Sequence, residues 1–193
     1  MGDDSSLDDL VAAWTLVAAD RALIGNKTGA TRLGFALVLK FFEREARFPR
    51  GPSEFDETVV GVVARQVRVR VEEFADYGWG DRTGRAHRAQ IRGAFGFRVC
   101  TRPDEEVLAG WLAAEVCPTD HRTGHLLGAL LARCRTMRIE PPGRTDRILG
   151  AARASFERTW CARTVARLGP HRVELLERLV DEAEDVKGFE TSS

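Results

Sequence analysis

Cys117, His121 and His125 recur at four-residue intervals. On one continuous helix that spacing stacks three side chains on a single face, a donor set suited to structural zinc. Pro118 and Gly124 break such a helix, and Asp120-His121-Arg122-Thr123 reads as a polar loop, so no metal is expected there. Gly25-Asn26-Lys27-Thr28-Gly29 holds the residue types of a phosphate cradle but lacks the GxxxxGK(S/T) spacing, and reads as a turn between helices. Neither GxSxG nor HExxH occurs. The carboxylates of Glu43, Glu45, Asp76, Asp81 and Asp146 form no pair that the spacing singles out for acid–base work. The expectation is a protein with no catalytic residues, no metal and no cofactor.

The arginines carry more information. Residues 82–102 hold Arg82, Arg85, Arg88, Arg92, Arg98 and Arg102 and no acid. On a helix over 81–95, Arg85, Arg88 and Arg92 fall within one narrow arc, with His87, Ile91, Ala94 and Phe95 on the other side. Guanidinium forks match phosphate oxygens and guanine edges. Gln90, between the two faces, has the amide that reads adenine. A second cationic stretch, 133–172, has ten arginines against Glu140, Asp146 and Glu157, and there Arg144, Arg147 and Arg158 can share one helical side.

The whole chain nonetheless balances, with 29 cations and 29 acids in 193 residues. Placement resolves this. Residues 1–20 carry a charge of −5 and residues 180–193 carry −4, which leaves +9 on the body between them. A cationic body with acidic ends suits a polyanionic partner, double-stranded DNA. The four cysteines, Cys100, Cys117, Cys134 and Cys161, form no CxxC and read as buried or incidental thiols. No stretch of about 18 apolar residues could span a membrane. The acidic start lacks the features of a signal peptide, and the expected location is cytoplasmic.

The elements that must position these residues are helical throughout. Ser6 and Asp9 suit a helix start before Leu10 and Trp14, and a short helix fits 18–24. A strong helix is predicted over about 30–47, with Lys40, Glu43 and Arg44 opening its polar face. Ser53 and Glu57 open the next, through Val59, Val60, Val63 and Val67, and a short helix fits 71–77. Glu57 to Tyr77 thus looks helix-turn-helix-like, with Arg68 or Arg70 in place of the usual turn glycine. Gly96 closes the basic helix as a left-handed cap, and Thr101 with Asp104 opens another. Helices follow at 125–138 and from Thr145, the latter through Ile148, Leu149, Ala152, Phe156 and Trp160. A last one carries Val173, Leu176, Leu179, Val180 and Ala183. Strand alternation is weak everywhere. The predicted class is all-α, two small helical bundles in tandem. The segments are 1–19, acidic; 20–99, a module containing the basic helix; 102–187, a second module; and 188–193, a tail.

Several segments together resemble one family. Thr31-Arg32-Leu33-Gly34-Phe35-Ala36-Leu37-Val38-Leu39-Lys40-Phe41-Phe42 looks like the RLGFALQL-type segment near the N-terminus of Tn-three-type replicative transposases. Phe48-Pro49-Arg50-Gly51, Val63-Ala64-Arg65-Gln66-Val67, Thr83-Gly84-Arg85-Ala86-His87-Arg88-Ala89-Gln90-Ile91-Arg92 and Gly96-Phe97-Arg98 continue it in order. So do Leu131-Ala132-Arg133-Cys134-Arg135, Arg138-Ile139-Glu140-Pro141-Pro142 and Arg147-Ile148. The resemblance implies a pair of helical domains that recognise the transposon's terminal inverted repeats, without the metal-dependent catalytic region, which lies in a much larger C-terminal part. The expected nucleic-acid contacts are Lys27, Arg32, Arg65, Arg68, Arg82, Arg85, Arg88, Gln90, Arg92, Arg98, Arg144, Arg147 and Arg158. The alternative is a helical protein-interaction module that self-associates or regulates a full-length transposase through the apolar helix around Leu176 and Leu179.

Overall fold

The computed structural model describes residues 4–169 and residues 172, 174, 175, 178 and 179. Asp3, the expected contacts of Val173, Leu176, Val180 and Ala183, and the acidic stretch from 180 lie outside the described residues. The helices are α1 (Asp4–Ala13), α2 (Ala18–Ile24), α3 (Gly29–Glu45), α4 (Glu57–Val67), α5 (Arg82–Ala94), α6 (Arg102–Trp111), α7 (Thr123–Thr136) and α8 (Thr145–Leu168). Two 3₁₀ segments, Pro52–Glu54 and Val71–Asp76, and a π turn, Leu112–Val116, lie between them. Two-residue strands β1 (Arg98–Val99) and β2 (Ile139–Glu140) are the exceptions to an all-α fold among the described residues.

The chain forms two compact units. The first takes Met1–Cys100 together with Leu131–Gly143, and the second takes Thr101–Leu130 together with Arg144–Ser193.

The first unit is built around α3. Every residue from Leu33 to Phe42 is buried, so this helix is enclosed rather than amphipathic. Each fully buried Leu or Phe contributes about 1.5–3 kcal/mol. The expectation that Lys40 opens a polar face is therefore corrected: Lys40 is 5% exposed. Its charge is met by Asp20, with Nζ 3.5 Å from Oδ2, and by Glu43 one turn on. Asp20 in turn accepts the Val17 N–H at 2.9 Å and so caps α2. Such a pair stabilises only because both partners are present.

Aromatic rings fill the space around α3. Phe55 lies 5.5 Å from Phe41, 6.1 Å from Trp14 and 5.7 Å from Trp79, while Phe42 lies 4.5 Å from Phe48 and 5.0 Å from Phe97. Gln66 of α4 fastens the link between α1 and α2: its Oε1 accepts from Leu16 N at 2.8 Å and its Nε2 donates to Trp14 O at 3.0 Å. α4 is opened by Asp56, whose carboxylate accepts from Thr58 N, while Ser53 sits in the preceding 3₁₀ turn. Val59, Val60, Val63 and Val67 are buried, as their spacing predicts. Arg68 follows in the left-handed region, φ 58°, taking the place of the turn glycine. The element after it is 3₁₀, Val71–Asp76, and not the α-helix that the sequence suggested.

Residues 131–143 close the unit. β1 and β2 pair in parallel, Arg98 with Ile139 and Val99 with Glu140. Nothing in the alternation of either segment signals this pairing.

In the second unit, Thr101 and Asp104 form the predicted reciprocal cap of α6. Leu108, Leu112, Val116, Leu126, Leu130, Ile148, Leu149 and Ala152 are buried. α8 is buried at Ile148, Leu149 and Ala152. Its Trp160, predicted on the same apolar series, is 59% exposed. Thr145, expected as the cap of α8, is instead its first residue.

Candidate nucleic-acid interface

α5 carries the predicted cationic arc, and its entry is fixed by close backbone approach. Asp81 caps it by accepting the Gly84 N–H at 2.7 Å. A Cβ on Gly84 would fall on the carbonyl of Gly78, and one on Gly78 would fall on the Asp81 carboxylate. Only glycine permits this turn. At the other end Gly96, φ 67°, terminates the helix as predicted.

The inner face of α5 is polar at one point. His87 is 7% exposed, with Nδ1 3.0 Å from the Tyr77 hydroxyl and its ring edge-on to Phe35 at 5.0 Å. Burial, together with the positive charge of Lys27, pushes the His87 pKa below its ordinary value. Burial pushes the Tyr77 hydroxyl up to about 12, so it stays protonated. Ile91 is fully buried, whereas Ala94, expected on the same face, is exposed.

The outer face is engaged to different degrees. Arg82 and Arg85 are exposed. Arg85 donates to Gly80 O at 2.8 Å, and half-buried Arg88 donates to Trp79 O at 3.4 Å while its guanidinium lies over Phe48. Both keep their charge uncompensated by any carboxylate at salt-bridge distance among the described residues. Arg92 differs, because Glu140 of β2 meets it at 2.6 Å.

Gln90 and Lys27 come together, but facing each other. Gln90 Oε1 accepts from Lys27 Nζ at 3.1 Å, and Gln90 Nε2 donates to Leu23 O at 3.1 Å. Lys27 also donates to Leu23 O and Ile24 O and lies 4.0 Å from the centroid of the Phe35 ring. Partial burial lowers its pKa. In this arrangement both ends of the Gln90 amide are engaged in tying α5 to the C-terminus of α2, and Lys27 serves the same junction.

The remaining first-unit residues are dispersed. Arg65 donates to Gly61 O within its own helix and is exposed; Arg68 is exposed at the left-handed turn. Arg32 is half-buried on α3, its Nε buried without a hydrogen-bond partner. Arg98 is exposed on β1, with its N–H bonded to Arg138 O. Sequence reasoning missed three residues that hold α5 and α3 from the 131–143 segment. Arg135 donates to the C-terminal carbonyls of α3 at Glu43 and Arg44, Arg138 donates to Phe95 O just past α5 at 3.0 Å, and Glu140 pairs with Arg92. Cations on helix C-terminal carbonyls are favourable, but these contacts span some forty residues or more and leave no local signal.

Within the second unit, Arg144 and Arg158 are exposed, and Arg147 forms an ion pair with Glu105. That pair lines a groove between α6 and α8 together with Ala109, Gly110 and Ala151. Cys117 is buried at the end of the π turn, and His121 stacks on Phe156. Among the described residues no three His, Cys, Asp or Glu side chains gather as metal ligands.

A family described as "Domain of unknown function (DUF4158)" matches residues 1–146. The chain belongs to that family. The sequence is also similar to known transposases. The transposase for transposon Tn3926 from Escherichia coli is 29% identical over 180 residues, 89% of this chain and 18% of its own length. The transposase for transposon Tn21 from Escherichia coli is 36% identical over 101 residues, half of this chain and 10% of its own. The transposase for transposon Tn501 from Pseudomonas aeruginosa is 35% identical over 88 residues, 45% of this chain and 9% of its own. The chain thus spans less than a fifth of the length of these relatives. This DUF4158 chain is therefore related to transposases, as the RLGFAL and HRAQIR segments implied. No helix among its described residues is long and apolar enough to cross a membrane.

Proposed function

We propose that this chain is a DNA-binding portion of a replicative transposase that recognises terminal inverted repeats and carries no strand-transfer chemistry of its own. The observation that carries the reading is the outer face of α5, a rigidly capped helix presenting Arg82, Arg85 and Arg88 to one side. The transposases to which the chain is similar support it, as does the +9 body between acidic ends. Arg65, Arg68 and Arg98 in the first unit, and Arg144 and Arg158 in the second, supply further backbone contacts. Phosphate contacts set affinity and register, and few side chains read bases. In this reading Lys27, Gln90 and Arg92, whose side chains are engaged within the protein, position α5.

The test is fluorescence anisotropy with inverted-repeat duplexes of the Tn3926 and Tn21 elements against scrambled duplexes, across a salt series. With about six phosphates neutralised, log K falls against log salt with a slope near −5. A flat salt dependence rejects DNA binding, and equal affinity for scrambled duplex rejects repeat recognition. One observation favours the protein-interaction reading: Trp160 and Val165 of α8 are 59% and 51% exposed. Dimerisation in light scattering with no DNA retention would select it.

A further inference from the structure

The arc of α5 is interrupted at one place. Arg85, Arg88 and Arg92 fall within one arc of the helix, and the first two donate to neutral carbonyls, which leaves their charge available. Arg92 Nη1 instead meets Glu140 Oε2 at 2.6 Å, with the two side chains 22% and 23% exposed. The carboxylate takes a guanidinium N–H much as a phosphate oxygen would.

Glu140 is not there by the accident of a long surface side chain. Its backbone is in register with Val99 in the β1–β2 pair. The Arg98 N–H donates to Arg138 O at 3.0 Å, and the Arg138 side chain returns to Phe95 O at 3.0 Å. Arg135 fixes the preceding turn on the end of α3. A segment distant in sequence thus delivers one acid onto the cationic face.

We infer that Glu140 is a built-in counter-ion and a positioning residue: it holds Arg92 out of phosphate contact, so that Arg92 is a latent member of the DNA-binding face. The inference rests on the DNA-binding reading above. Glu140 weakens binding by one phosphate contact while fixing the end of α5, which shortens residence on DNA and keeps the docking geometry.

The experiment compares the full chain with Glu140→Gln and with the neutral pair Arg92→Gln/Glu140→Gln on one duplex across salt. Releasing Arg92 in Glu140→Gln steepens the slope by about 0.9 and raises affinity at least about threefold at low salt. The neutral pair has the natural net charge and removes no phosphate contact, so its slope and affinity stay within about twofold of the natural chain. An unchanged or shallower slope for Glu140→Gln overturns the inference. So does a neutral pair whose slope is shallower by about one unit, because Arg92 would then already touch phosphate. Thermal unfolding on the same samples separates loss of fold from loss of contact; should Glu140→Gln not fold, the neutral pair, whose amides can still hydrogen-bond, decides. A natural chain with no salt-dependent binding fails the DNA-binding reading itself, a result distinct from either outcome for the variants.

Discussion

The ring of Tyr77 lies on the bare backbone of Gly34, at the one position of the buried α3 run where a Cβ would collide with it. That contact brings the Tyr77 hydroxyl to His87 of α5. The glycine of the RLGFAL segment is therefore a packing residue for the cationic helix, although it touches none of its arginines.

Gly34→Ala reverses the usual sign of a helix substitution. Alanine in place of a helical glycine gains about 1 kcal/mol where there is room. Here the methyl group must displace a buried ring, and overpacking costs about 1–3 kcal/mol. The expected outcome is a lower unfolding midpoint by circular dichroism. A midpoint equal to or above that of the natural chain would remove the Tyr77 contact from the account of this motif.

Lys40→Met leaves Asp20 buried without its cation. Breaking a buried pair from one side costs about 3–5 kcal/mol. Lys40→Met/Asp20→Asn should recover a good part of this, since the amide oxygen can still accept the Val17 N–H. Chemical denaturation of both variants and of Asp20→Asn alone measures the coupling, and simple additivity would show that the pair contributes little.

Stability should fall with acidity through the window set by His87. Its pKa is depressed in the folded chain, mainly by burial. Below about 6.5 the unfolded chain therefore binds a proton that the folded chain does not, and stability rises with pH across that interval. Glu54, Asp56 and Asp120 have carboxyls held below their ordinary values, by Arg47, Thr58 and Arg122 respectively. Their contributions are lost at lower pH, as those carboxylates protonate, so the two effects separate. Urea unfolding between pH 5 and 7.5 should show the His87 step in the natural chain and lose it in His87→Gln.

Arg82→Gln/Arg85→Gln removes the two exposed charges at the start of α5. Anisotropy across salt should show a slope shallower by about 1.8 and affinity lower by about tenfold at moderate salt. Arg144→Gln/Arg158→Gln makes the same measurement on the second unit. A variant pair without effect is excluded from the contact set.

Much of the scaffold was legible because helix boundaries are written locally. Asp81, Thr101 with Asp104, and Gly96 mark helix ends through side chains and backbone angles within three residues of the boundary. The α5 arc followed from spacing alone. What escaped is non-local. Lys40 looks like the start of a polar face until Asp20 is brought against it. Gln90 looks free until Lys27 and Leu23 face it. Glu140 is one of three acids in a basic stretch, and only strand pairing reveals which arginine it meets. Arg68 shows the converse: its place in a turn was visible, but only the fold reveals that the arginine itself takes the left-handed angle.

The β1–β2 pairing has a consequence for synthesis on the ribosome. The first unit cannot close until Ile139 and Glu140 have emerged, about 40 residues after Arg98. At about 5–20 residues per second, that is a wait of about 2–8 s with the end of α5 lacking its partners. During that interval Arg92 is unguarded, and the nascent chain is more strongly cationic along α5 than the finished one. Completion of the strand pair is then the event that sets the final charge of this face.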